Sequence, residues 1–157
     1  MDDMEAVEVQ PIGVIRNNAG KRSHGEWSQV ISRLIIDEKY AGALDGLEAF
    51  SHINVLFYLH KMERDFVSLI HPTGNPDLPL VGAFSTRTPN RPSKIGLTIV
   101  PIEEIRRNII YVRGLDAYNG SPLLDIKPYF PRNLQQVNVP EWSKRIKKRQ
   151  MMITQSR

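Results

Sequence analysis

Two stretches of the 157-residue chain concentrate the residue types that do chemistry. The first, Val81 to Thr98, sets Arg87, Arg91 and Lys94 among Pro89 and Pro92. The second, Leu115 to Tyr129, carries Asp116, Tyr118, Asn119, Gly120 and Ser121 and then Asp125 and Lys127. Proline fixes φ and leaves a loop little entropy to lose, so charged groups there are held ready for a ligand. The planar guanidinium groups of Arg87 and Arg91 suit bidentate capture of a carboxylate or an RNA phosphate. Their competing use is an ion pair with Asp116 or Asp125. Residues 116–121 read as a turn whose amides can hold a polar ligand edge, with Gly120 also explicable as a plain turn glycine. Asp125 and Lys127 share one strand face, as an ion pair or as site residues. His60 and Lys61 close a two-faced strand, where a surface histidine and a binding histidine are both expected readings. Trp27 can stack on a base or join the core.

Several familiar chemistries are excluded. No G-x-G-x-x-G turn exists, since the closest glycine pair is Gly42 and Gly46. Gly20-Lys21 is no phosphate loop, because Ile15 stands where its first glycine belongs. His24, His52, His60 and His71 have no metal-ligand spacing. His52 and His60 would lie roughly 26 Å apart along one strand. There is no cysteine, hence no disulfide, thiolate metal site or cysteine nucleophile. No G-x-S-x-G elbow is present.

These residues need a scaffold, and alternation supplies it. Ile53, Val55, Phe57 and Leu59 face one way and His52, Asn54, Leu56, Tyr58 and His60 the other, the strongest strand pattern in the chain. Further strands are expected at Val7–Val14, Val30–Ile36, Leu80–Ser85, Ile95–Ile102, Asn108–Leu115 and Pro122–Ile126. Asp37 reads as the N-cap of one short helix, Glu38 to Leu44. Residues 71–79, with three prolines, read as an exposed loop. Strands without regular intervening helices predict a mainly β protein, a small single-domain β-barrel with one short helix and peripheral segments. The expected division is a barrel domain over 1–140 and a basic tail over 141–157, helical from Glu141 to Met152.

The net charge of +4 is unevenly spread. Asp2, Asp3, Glu5 and Glu8 crowd the start, while Lys144, Arg145, Lys147, Lys148, Arg149 and Arg157 face only Glu141 in the last segment. A basic tail suits a polyanion such as RNA, or simply a solvated segment. The longest apolar run, Val55 to Leu59, is far too short to span a bilayer, and the acidic first residues lack a signal peptide's pattern. The expected location is cytoplasmic, with no membrane partner.

The chemical stretches resemble those of the TsaA-like family. Gly82-Ala83-Phe84-Ser85-Thr86-Arg87 through Ile95-Gly96-Leu97 is similar to its G-x-F-[AS]-T-R-x-P-x-R-P-N-P-I-G-L signature. Gly120-Ser121-Pro122-Leu123-Leu124-Asp125-Ile126-Lys127-Pro128-Tyr129 is similar to its G-T-P-[VL]-[LV]-D-I-K-P-Y. Gly46 to His52 with Val55-Leu56-Phe57, and Ile12 to Arg16, match two further blocks in the same order. The resemblance implies a small β-barrel that uses S-adenosyl-L-methionine to methylate N6 of threonylcarbamoyl-adenosine at position 37 of tRNA. It implies a homodimer with the cofactor near the subunit interface. Carried onto this chain, the cofactor-binding residues are His60, Lys61, Arg87, Arg91, Leu97, Asp116, Tyr118, Asn119, Gly120 and Ser121. Arg87 and Arg91 would take a carboxylate or RNA phosphate, Leu97 the adenine (or the core), and Tyr118 or Tyr129 the sulfonium. The catalytic base is unassigned, with Asp125 one candidate. The sequence departs from the pattern at Ser93-Lys94, Tyr118-Asn119, Ser121 and Asn54. These departures leave open a non-catalytic RNA- or nucleotide-binding barrel, or methylation of another small acceptor.

Overall fold

Alternation closes into a barrel. In the computed structural model, which describes residues 4–20, 27–132, 134 and 136–146, six strands pair edge to edge. They are β1 (Gly13–Arg16), β2 (Ile31–Ile36), β3 (His52–Tyr58), β6 (Ile95–Arg106), β7 (Ile109–Arg113) and β8 (Pro122–Pro128). Their order is β1-β2-β7-β6-β3-β8, closed and antiparallel throughout. Closure removes sheet edges that would otherwise recruit other strands.

Each strand sends alternate side chains inward. Ile53, Val55 and Phe57 of β3, Leu34 and Ile36 of β2, Ile110 and Val112 of β7, and Ile15, Val100 and Leu123 of their strands form one buried cluster. Leu115 and Ala117 plug it from the segment that leads into β8. Between β6 and β7, Arg107 takes a φ of 53°. The side chain of Asn108 then donates to the Ile36 carbonyl at 2.7 Å, tying that hairpin to β2.

The chain groups into two compact units, where composition suggested a boundary at 140. One unit comprises Met1–Met62 with Ser93–Tyr129, the other Glu63–Pro92 with Phe130–Arg157. The second contains the two-stranded ribbon of β4 (Leu69–Ile70) and β5 (Val81–Gly82).

Some elements differ from expectation. The first strand begins only at Gly13; Pro11 has no N–H for a ladder, and Val7 and Val9 are exposed. The strand expected over Leu80–Ser85 shortens to β5, because Ala83–Ser85 turns as a 3-10 helix. The Thr86 hydroxyl and amide both donate to the Ala83 carbonyl there. Its partner β4 had no periodic signal. The loop at 71–79 is not wholly exposed, since Pro72 and Leu78 are buried and His71 Nδ1 bonds the Leu78 carbonyl at 2.7 Å. Asp37 does cap Glu38–Leu44, accepting from the Lys39 amide at 3.1 Å, but the helix is 3-10. Residues 141–146 are helical; the rest of the expected tail helix, and Lys147, Lys148, Arg149 and Arg157, lie outside the described residues.

Candidate functional site

One rim of the barrel gathers much of the predicted set. The chain leaves β3 after Tyr58 and turns sharply, with the His60 amide donating to the Tyr58 carbonyl at 2.9 Å. The Leu59 amide bonds the Lys94 carbonyl, and Lys94 Nζ donates to the Met62 carbonyl at 2.9 Å, so this turn is pinned at both ends. It places His60 Nδ1 3.2 Å from Ser121 Oγ, whose residue is only 2% exposed. Burial lowers the pKa of His60, and the adjacent Lys61 ammonium lowers it further, against the opposing bond to Tyr58. The imidazole is therefore neutral at pH 7.

Lys61 reaches over the ring of Tyr118, 5.5 Å from its centroid, and Trp27 meets the same ring edge-on at 5.7 Å. Trp27 thus packs on a site residue rather than in the barrel core. Gly120 lies between Arg16 and His60. A Cβ added there would sit 3.6 Å from Arg16 Nη1 and 3.7 Å from His60 Nε2, and its φ of +88° disfavours any other residue. Glycine at this position leaves the facing edges of a guanidinium and a neutral imidazole uncovered, a gap that a Cβ would fill at ordinary contact distance. A small zwitterion bearing a carboxylate and a cationic centre matches that donor set: guanidinium for the first, aromatic faces for the second.

The turn is held from below by a residue that sequence reasoning passed over as loop. Asn17 is 7% exposed. Its Nδ2 donates to Ser32 Oγ at 3.0 Å and to the Ala117 carbonyl at 2.9 Å, its Oδ1 accepts from the Ala19 amide, and its own amide donates to Asn119 Oδ1 at 3.1 Å. The available signal was a short amide side chain directly after a strand, the type that makes backbone bonds locally. The expectation that the turn's amides face a ligand is corrected at two positions. The Gly120 amide bonds the Ile15 carbonyl and the Ser121 amide bonds the Tyr118 carbonyl.

Other predicted residues stand apart from this group. Asp116 is exposed and accepts from Thr98 Oγ1. Asp125 pairs with Lys127 at 2.8 Å, the ion pair weighed from the sequence, and its other oxygen accepts the Ile126 amide. Leu97 is not core: it is 44% exposed on the outer face of β6, opposite Leu56. His52 bonds Ser51 and meets Tyr129 edge-on.

Arg87 and Arg91 belong to the second unit. Arg91 braces its own loop, donating to the Thr86 carbonyl at 2.9 Å while lying over the Phe84 ring. Phe84 stacks on Phe66 at 6.3 Å. Arg87 is exposed on the same loop. Among the described residues no three His, Asp or Glu side chains are grouped to hold a metal, and no helix is long and apolar enough to cross a membrane.

Residues 17–133 match the model of the tRNA-methyltransferase O N-terminal domain. A probable S-adenosyl-L-methionine-binding protein of Methanothermobacter thermautotrophicus is 44% identical, over 83% of this chain and 94% of that protein. The human tRNA (adenine(37)-N6)-methyltransferase is 42% identical over 63% of this chain but only 22% of its own length. A crystal structure of TrmO from Pseudomonas aeruginosa superposes with a TM-score of 0.70 at 25% identity, covering 90% of this chain and 64% of that one. The chain therefore spans less than two thirds of the TrmO chain it resembles.

Proposed function

From its membership of the tRNA-methyltransferase O N-terminal domain family, to which the chain belongs, we propose that this protein is an S-adenosyl-L-methionine-dependent methyltransferase acting on N6 of adenosine 37 in tRNA. The threonylcarbamoyl form of that adenosine is the proposed substrate and the cytoplasm the place of action. The gap at Gly120 between Arg16 and His60, in the same turn as Tyr118, is the observation that carries the reading. The cofactor supplies a methyl group activated on a cationic sulfur. The chain's own part is to bind and orient. Arg16 offers a bidentate partner for a carboxylate. Trp27 and Tyr118, edge-on at 5.7 Å, offer aromatic faces that tolerate positive charge. A neutral His60 avoids adding a cation beside that charge. In-line placement of donor and acceptor then supplies much of the acceleration.

Calorimetric titration with S-adenosyl-L-methionine tests the site. Gly120→Val should weaken binding at least tenfold, about 1.4 kcal/mol, with the barrel intact by circular dichroism. Unchanged affinity would remove this rim from the cofactor site. Nucleoside analysis of tRNA after incubation with protein and cofactor tests the reaction, and the absence of any N6-methyl product would leave a binding module.

A homodimer is also proposed. Ile95, Leu97 and Ile99 stand exposed in a row on β6, flanked on β3 by Leu56 and the exposed Tyr58. A contiguous apolar strip on an antiparallel sheet is costly in water, and a second copy presents the same strip. Ile99→Lys should sediment as a monomer where the parent chain sediments as a dimer; two dimers, or two monomers, would refute this use of the strip.

A further inference from the structure

We infer that the outer face of β1, β2 and β7 is a docking surface for the phosphate backbone of RNA, centred on Arg33 and bordered by Arg16. This rests on the reading of the chain as an RNA-acting protein, and its test is separable from that reading. The strand register sets Arg16 directly opposite Arg33, and Arg33 directly opposite Tyr111. Like charges opposite one another destabilise an antiparallel pair, so the fold gains nothing from this arrangement.

Nearby carboxylates do not relieve it. Glu103 is bonded to Arg113 and Glu104 to Arg106. Among the described residues neither Arg16 nor Arg33 has an ion-pair partner. Arg106 lies over the Tyr111 ring, 5.8 Å from its centroid, and keeps Glu104, which stands opposite Tyr111, engaged at the edge of the face. Arg16, Arg33 and Tyr111 line an open recess of about 330 Å³ with Asn17, Asn18 and Ile31.

Unpaired guanidinium groups, the exposed Asn18 amide and one aromatic ring in a shallow open recess fit a chain of phosphates better than a buried small ligand or an apolar protein face. Arg16 also walls the gap at Gly120. The surface therefore starts at the proposed cofactor site and runs outward across adjacent strands, as required if RNA is to lie along the barrel with one base at the rim.

The test is binding of a labelled anticodon stem-loop RNA, measured against salt concentration, for the parent chain and for Arg33→Gln. The variant should bind about tenfold more weakly, and the slope of log affinity on log salt should fall by about one, as expected for a lost phosphate contact. Its melting temperature should hold or rise, since the like charge facing Arg16 is gone. Cofactor affinity should be unchanged. RNA affinity and slope equal to the parent's would overturn the inference and leave the face to a protein partner. Loss of RNA binding in a chain whose parent never binds cofactor would sustain it while refuting the methyltransferase reading.

Discussion

Phe57→Ala lowers the stability of the barrel by about 3–5 kcal/mol, read as a shift of the urea midpoint at constant m. Phe57 is 2% exposed within the buried cluster and stands opposite Gly96 in the β3–β6 register. A Cβ added at Gly96 would come within 2.5 Å of the Phe57 ring. The ring thus occupies the volume that a side chain at residue 96 would need, and covers a glycine that would otherwise weaken its strand. Gly96→Ala alone should cost about 1–3 kcal/mol by overpacking. In the Phe57→Ala background the added methyl enters a hole instead, so the double variant should be more stable than the two single losses imply by at least about 1 kcal/mol. Additive losses would show that the ring does not lie over Gly96.

That pair illustrates what the sequence made readable. Isoleucine, valine and phenylalanine at alternate positions of 52–58 can be buried on one side only in a strand, so β3 and its inward face followed from the period alone. Barrel closure was readable as a class, since many short strands without crossover helices leave few other solutions. The strands' true lengths were not. β6 runs to Arg106, well beyond the expected Ile102, because its last turn pairs with β7 across a register shift that no local propensity encodes. The 2-residue strand β4 carries no period at all. For the site, His60, Lys61, Tyr118, Gly120 and Ser121 were carried over from the family resemblance, Tyr118 and Ser121 at positions where the motif itself differs, and their convergence came from the fold. Arg91 read as a ligand holder, yet its guanidinium is occupied with carbonyls of its own loop. Only the fold separates these uses, because a proline-stiffened loop needs bracing as much as it needs a ligand.

Asn17→Ala should abolish measurable cofactor binding at concentrations that saturate the parent chain, and lower stability by about 2–4 kcal/mol, since each buried polar group left without a partner costs about 1–3 kcal/mol. Truncation strands the Ser32 hydroxyl, the Ala117 carbonyl and the Ala19 amide, the first of them fully buried. The functional effect follows a different path from the energetic one. Asn17 holds the turn of residues 117–121 by its side chain at the Ala117 carbonyl, the anchor that alanine removes, and by its backbone amide at Asn119 Oδ1, which alanine keeps; that turn carries both Tyr118 and the gap at Gly120. Ser32→Ala separates the two effects. It leaves the Asn17 bonds to Ala117 and Asn119 in place, so it should lose stability yet bind cofactor within about threefold of the parent, a difference under about 1 kcal/mol. The two are compared by calorimetry at a temperature where both variants are folded. If Ser32→Ala loses the cofactor as completely as Asn17→Ala, general destabilisation explains both, and Asn17 has no positioning role. If only Asn17→Ala loses it, the loop asparagine beside β1 sets the geometry of the rim.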